Sequence, residues 1–309
     1  MDGFLSTLGA VAMMLGYASI GLALLKTKLI KEDGIGAFAK LLMYVSAPCL
    51  TIYTITDMEF SVALVKDAVI VLVFSMCIQA GLLLLFRFIY RKKKEDINYR
   101  IYNIATGMGN AGFMAVPLLE VVMPEYPEAV LLSTIYCLGM NFIGWTLTSY
   151  IISNDKSYMR IRNALLNPST LSLVVALPLF ISGVKMPSQL DTMVTLLGKM
   201  SAPLCMIIMG MRLGTMKFAS LFTDKMVYFT IAIKQLCMPT LAFFVLKLLP
   251  VSVDFRKTVF ILTAAPVASM VLNYAELIGQ GQKKAANTVL LGTMLSILTM
   301  PVMVLLMYG

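Results

Sequence analysis

The sequence predicts an all-α membrane protein of ten transmembrane helices, built as a 5+5 inverted repeat in which helices four and nine are interrupted and cross. Three observations predict it. Hydrophobic residues make up 59% and charged residues 13% of the 309 positions, with a mean hydropathy of +0.86; soluble domains carry nearly twice that share of charge. Two stretches return after about 150 residues: Ser46-Ala47-Pro48-Cys49-Leu50 as Ser201-Ala202-Pro203-Leu204-Cys205, and Ala115-Val116-Pro117 as Ala265-Pro266-Val267. The basic residues, finally, gather in alternate connections.

Apolar runs long enough to cross a hydrocarbon core fall at 5–25, 36–56, 62–88, 100–122, 129–152, 168–184, 192–213, 226–248, 255–277 and 285–307. The first has no basic segment ahead of it and is followed by Lys26, Lys28 and Lys31, so it reads as a retained span that starts outside, not a signal peptide. The second holds the first Ser-Ala-Pro and leaves at Asp57 and Glu59; the third delivers the chain to Arg91, Lys92, Lys93 and Lys94. The fourth carries a glycine-rich break and leaves at Glu125 and Glu128, and the fifth leads to Lys156, Arg160 and Arg162. After the sixth, the seventh repeats Ser-Ala-Pro and is followed by Arg212, Lys217 and Lys225. The eighth contains Lys234 and leads to Arg256 and Lys257, the one departure from the alternation. The ninth holds the second break, ahead of Lys283 and Lys284, and the tenth closes the set.

Lys and Arg are retained on the cytoplasmic side, so the odd connections are expected inside and both termini outside a multi-pass protein of the cell membrane. Five spans is an odd number, so the second copy enters the bilayer from the opposite side. The division is a first repeat at 1–152, a cytoplasmic linker at 153–167 and an inverted second repeat at 168–309. Two like halves with interrupted helices are the signature of a secondary transporter whose site lies at the breaks.

The net charge of +9 is accounted for by cytoplasmic loops facing anionic lipid, which gives no ground for a nucleic-acid partner. Cys49, Cys77, Cys137, Cys205 and Cys237 lie in apolar spans without paired spacing, and there is no histidine. No disulfide framework, metal site or cofactor is indicated. Intramembrane enzymes need His-Glu-x-x-His or clustered aspartates; neither is present, and no channel selectivity sequence occurs.

The fourth run reads Gly107-Met108-Gly109-Asn110-Ala111-Gly112-Phe113-Met114-Ala115-Val116-Pro117, and its counterpart in the ninth is Thr263-Ala264-Ala265-Pro266-Val267-Ala268-Ser269. A proline removes a backbone donor and blocks the carbonyl four residues earlier, so Pro117 is expected to free carbonyls near Phe113. Backbone freed at membrane depth survives only when packed in protein or lining a cavity. Half-helices starting at two such breaks would aim free N–H groups at one point, where a carboxylate could sit.

Asn110-Ala111-Gly112-Phe113-Met114-Ala115-Val116-Pro117-Leu118-Leu119 resembles the fourth-helix motif of the auxin efflux carrier family, and Pro266-Val267-Ala268-Ser269 through Leu290-Leu291-Gly292-Thr293 to Met300-Pro301 resembles that family's last two helices. The resemblance covers the whole chain. It implies a bile acid:sodium symporter type of fold, with a scaffold from spans 1, 2, 6 and 7 and a mobile core from spans 3–5 and 8–10. It further implies elevator-type transport of small organic anions, auxin in plant members and malate, malonate or similar carboxylates in bacterial ones. The long central loop of the plant proteins is absent. Alternative readings are a ligand sensor on a carrier fold and a sodium-coupled bile-acid-type symporter. The expected partners are the anion and the lipid bilayer; whether the chain forms a homodimer stays open.

The candidate substrate-binding residues are Asn110, Gly112, Pro117, Pro266, Ser269, Asn273, Lys234, Gln79, Gln235 and Asn141. Lys234 is a charge in mid-span, which costs at least about 2.5–3.5 kcal/mol on insertion scales; it either faces the interior, opening the core or balancing an anion, or snorkels. A fixed cation there would replace a coupling sodium ion. Gln79 and Gln235 occupy equivalent positions in spans three and eight, suited to locking core helices or reaching freed carbonyls. Ser296 lies in a neighbouring core span, and Glu120 and Glu276 are the carboxylates available for proton coupling or for interfacial placement. The 25 methionines form no Met-x-x-Met array and read as apolar filler.

Overall fold

The computed structural model describes residues 2–215 and 222–308, and Lys217 of the seventh connection lies outside them. Within the described residues the fold is all-α, as expected, and the one extended pairing is an isolated antiparallel bridge between Gly109 and Val267.

The first span is the unbroken α1 (Asp2–Lys26), and the second joins α2 (Ile35–Leu41) to α3 (Ala47–Thr56) through a π turn at Leu42–Ser46. That wide turn precedes Pro48, whose missing N–H and bulky ring make the ordinary turn unavailable. The chain continues as α4 (Val62–Ile89), whose first turn is capped by the Ser61 hydroxyl accepting from Leu64 N–H at 3.1 Å. The fourth run forms α5 (Ile97–Gly107) and α6 (Ala115–Val122), and the fifth forms α7 (Glu128–Ile143) and α8 (Ser149–Ser153) around a second π turn. In the central linker α9 (Ile161–Leu165) adds a short helix before α10 (Pro168–Ser182), which Asn167 caps.

The seventh span pairs α11 (Ser188–Lys199) with α12 (Ser201–Gly214); the eighth pairs α13 (Lys225–Ala232) with α14 (Met238–Lys247) across a π turn at Ile233–Cys237, just ahead of Pro239. The ninth run forms α15 (Val253–Ala264), capped by Ser252, and α16 (Met270–Leu277). The last helix, α17 (Gln282–Tyr308), bends by 54° between Ser296 and Leu298, four residues ahead of Pro301, where a proline ring displaces the carbonyl.

Among the described residues seven segments are long and apolar enough to cross a membrane, and the bent α17, taken as one span, makes an eighth. The fourth and ninth runs fall outside that number because each yields two pieces of 8 to 12 residues. At about 1.5 Å of rise per residue, no such piece spans a core of about 30 Å.

Helices α1, α3, α10, α11 and α12 pack on one another, while α4, α5, α7 and α13 to α17 form a second set of contacts; α1 touches α6 and α17, and α3 touches α7. The α1 to α12 contact is made backbone to backbone. A Cβ at Gly21 would overlap the Ile207 carbonyl, and one at Gly210 the Ala18 carbonyl, the small-residue packing by which membrane helices approach closely. Around both sets the outer surface is apolar, with Val174, Ile181, Phe244 and Leu306 exposed.

Candidate functional site

α5 stops at Gly107 and α6 begins at Ala115, so the break in the fourth run lies over Met108 to Met114, ahead of Pro117. The half-helix therefore starts two residues ahead of Pro117, not after it as expected from the sequence. Pro117 is the third residue of α6, where a helix needs no N–H from it, and the glycines and Asn110 are what the chain leaves helix on. In the ninth run Pro266 does lie within the break, between Ala264 and Met270.

The two breaks lie antiparallel and satisfy each other. Asn110 N–H donates to the Pro266 carbonyl at 2.7 Å, and Ala268 N–H donates to the Met108 carbonyl at 3.0 Å. Ser133 holds the Ala111 carbonyl at 2.7 Å. The completely buried Lys234 reaches the end of α15, its ammonium donating to Thr263 O at 2.6 Å and Ala265 O at 2.8 Å. It therefore does not snorkel; the carbonyl end of α15, with its partial negative charge, holds the cation. Gly109 passes so close that a Cβ there would lie 2.8 Å from the Lys234 Nζ.

A cavity of about 440 Å³ adjoins the crossing, and of the sequence candidates Asn110, Gly112, Asn141, Ser269 and Asn273 line it. Asn110 is 4% exposed, and its side chain bonds to none of the described residues. Gly112, Phe113, Ser269 and Met270 also face this cavity, and their N–H groups find no hydrogen-bond partner among the described residues. Leu50, Phe113, Trp145 and Tyr274 supply apolar and aromatic wall. A smaller cavity of about 250 Å³ lies against Pro117, Glu120, Lys199 and Tyr53, and shares Gly112 and Leu50 with the larger one.

The remaining candidates stand apart from both cavities. Gln235 ties its span to α17, donating to Gly292 O at 2.7 Å and accepting from Thr299 at 2.6 Å. Gln79 is buried on α4 beside Tyr136 of α7. Pro266 contributes its carbonyl to the crossing, Ser296 turns back on Thr293 O at 2.6 Å, and Glu276 meets Arg212 at 2.5 Å. Arg212, Asn163 and Asn167 line the larger cavity and were not singled out from the sequence. Arg212 was counted among the cytoplasmic loop cations, and only its position at the end of an unbroken apolar run could have marked it.

Outside the membrane segments, Asp224 receives the Tyr102 hydroxyl at 2.5 Å, the Met226 N–H at 2.9 Å and the Lys284 ammonium. Part burial pushes its carboxyl up, but these donors outweigh it and hold the group below its ordinary value. Among the described residues no three His, Cys, Asp or Glu side chains gather to hold a cation.

The chain matches a family described as membrane transport protein over residues 7–163 and again over 155–304. No curated protein matches it.

Proposed function

We propose that this chain, which belongs to the membrane transport protein family of auxin efflux carrier type, is a secondary carrier of small organic anions that works by elevator-type alternating access. The membership makes it a transporter rather than an enzyme. In this reading the two broken pairs are the fourth and ninth of ten crossings, and the halves are inverted repeats. The contact set of α1, α3 and α10 to α12 is the scaffold against which the rest moves.

One observation carries the reading. The breaks bond to each other through their backbones, and beside them Asn110, with an unbonded side chain, and several residues whose N–H groups find no partner among the described residues line one cavity. Such groups suit a carboxylate at membrane depth. The apolar and aromatic wall suits the carbon body of an organic acid. Asn163, Asn167 and Arg212, beside the lysine- and arginine-rich connections, are part of the cavity lining, and with those connections inside we read the state as inward-open with both termini outside. Lys234 places its ammonium at the crossing between two carbonyls, and we take it as the stand-in for a coupling sodium ion.

The test is uptake of labelled malonate and indole-3-acetate into proteoliposomes, with sodium and with sodium replaced. Flux insensitive to the replacement is expected, and Asn110→Ala should weaken binding by about tenfold or more, the loss of one hydrogen bond to a charged group. Binding without flux would overturn the carrier in favour of a sensor. Steep sodium dependence would overturn the role given to Lys234.

A further inference from the structure

Arg212 is the one charged side chain that lines the larger cavity among the described residues. It sits in the last turn of α12, where a cation is favoured by the helix dipole. Its partner Glu276 sits in the last turn of α16, where a carboxylate is disfavoured by its own helix. The two meet at 2.5 Å through one nitrogen and one oxygen, with side-chain exposures of 17% and 47%. A guanidinium carries five N–H donors in a fork shaped for a carboxylate. Glu276 takes one of them, and no other described residue takes the rest.

We propose that Arg212 is the charged recognition element for the anion, and that Glu276 is a built-in substitute carboxylate that occupies it while the cavity is empty. This rests on the organic-anion reading above. The pair joins α12, locked to α1 by backbone contact, to α16, which follows directly from the second break. It therefore latches the two helix sets together. An incoming carboxylate takes the guanidinium, frees Glu276 to water, and opens the latch. A pair with one partner near half exposed is weak, so the exchange costs little, and the less exposed Arg212 is never left unpaired. The empty carrier stays latched and the loaded one is released, which favours exchange of anion for anion over net flux.

The test uses the full-length purified chain and a panel of malonate, malate, benzoate and indole-3-acetate, read by calorimetry and thermal shift. Glu276→Gln should bind the active probe about three- to fivefold more tightly, the value of one exposed pair; a gain of affinity cannot come from misfolding. Arg212→Gln should weaken binding by about tenfold or more, and Arg212→Lys by less. In proteoliposomes Glu276→Gln should raise net flux relative to exchange. Unchanged binding in Arg212→Gln, or unchanged or weaker binding in Glu276→Gln, overturns the proposal while the organic-anion reading stands. A wild-type chain that binds no member of the panel removes both.

Discussion

Replacing Gly109 by Ala tests whether the buried lysine and the crossing form one unit. A Cβ at this position would lie 2.8 Å from the Nζ and 2.9 Å from the Cε of Lys234. Ordinary contact begins near 3.4 Å, so something must retreat by about 0.6 Å. The ammonium is not a loose chain end: it is held at 2.6 Å by Thr263 O and at 2.8 Å by Ala265 O. A shift of that size takes the bonds to or past the limit of about 3.2 Å for good N–H···O geometry. The loss of one hydrogen bond from a charged donor is about 1.5–3 kcal/mol. Against it stands a gain of about 0.5–1 kcal/mol from replacing glycine, since Gly109 has no positive φ to forbid alanine. The net expectation is a destabilisation of about 1–2 kcal/mol. Unfolding in mixed detergent micelles measures it, with Gly81→Ala as the control because nothing lies within 4 Å of its Cβ. In a double-mutant cycle with Lys234→Met, whose flexible side chain yields to the new methyl group, the double variant should be more stable than the sum of the singles by about 1–2 kcal/mol. Additive effects, or a Gly109→Ala variant as mild as Gly81→Ala, would refute the coupling.

Gly210→Ala drives a methyl group into the Ala18 carbonyl, a backbone atom that cannot swing aside. It should destabilise the chain toward the upper end of the about 1–3 kcal/mol of overpacked sites, measured in the same micelles. Asp224→Asn should lower the unfolding temperature at neutral pH. The folded carboxyl lies below its usual 3.8, so its contribution is complete above that value and is lost as pH falls through the folded one. The gap between wild type and variant should therefore close below about pH 4; a gap that widens there would contradict the assignment.

The helical class and most of the spans were legible because a bilayer demands long apolar runs, and caps such as Ser61 and Ser252 stand where those runs begin. The breaks were legible too, since glycine, asparagine and proline have no reason to cluster in a lipid-spanning helix. Where the second half-helix starts was misplaced, because Pro117 looks the same in sequence whether it precedes a helix or sits in its first turn. Only the hydrogen bonds decide, and those come from Pro266 and Ala268, far along the chain. The role of Arg212 was hidden for a similar reason. A cation near a cytoplasmic helix end is explained by topology alone, and only the fold brings Glu276 beside it. Gln79 and Gln235 warn that equal spacing is not equal duty: one binds α17, and the other is sealed between α4 and α7.

The paired main-chain bonds between Met108, Asn110, Pro266 and Ala268 also govern how the polypeptide is made. The ribosome delivers the first break to the bilayer long before the second exists, and until then its bare peptide groups have no mate in hydrocarbon. An N-terminal fragment ending near residue 160 is therefore expected to be degraded when made alone, and to become durable when the C-terminal fragment is supplied in the same cell. Each break supplies the main-chain partners that the other lacks.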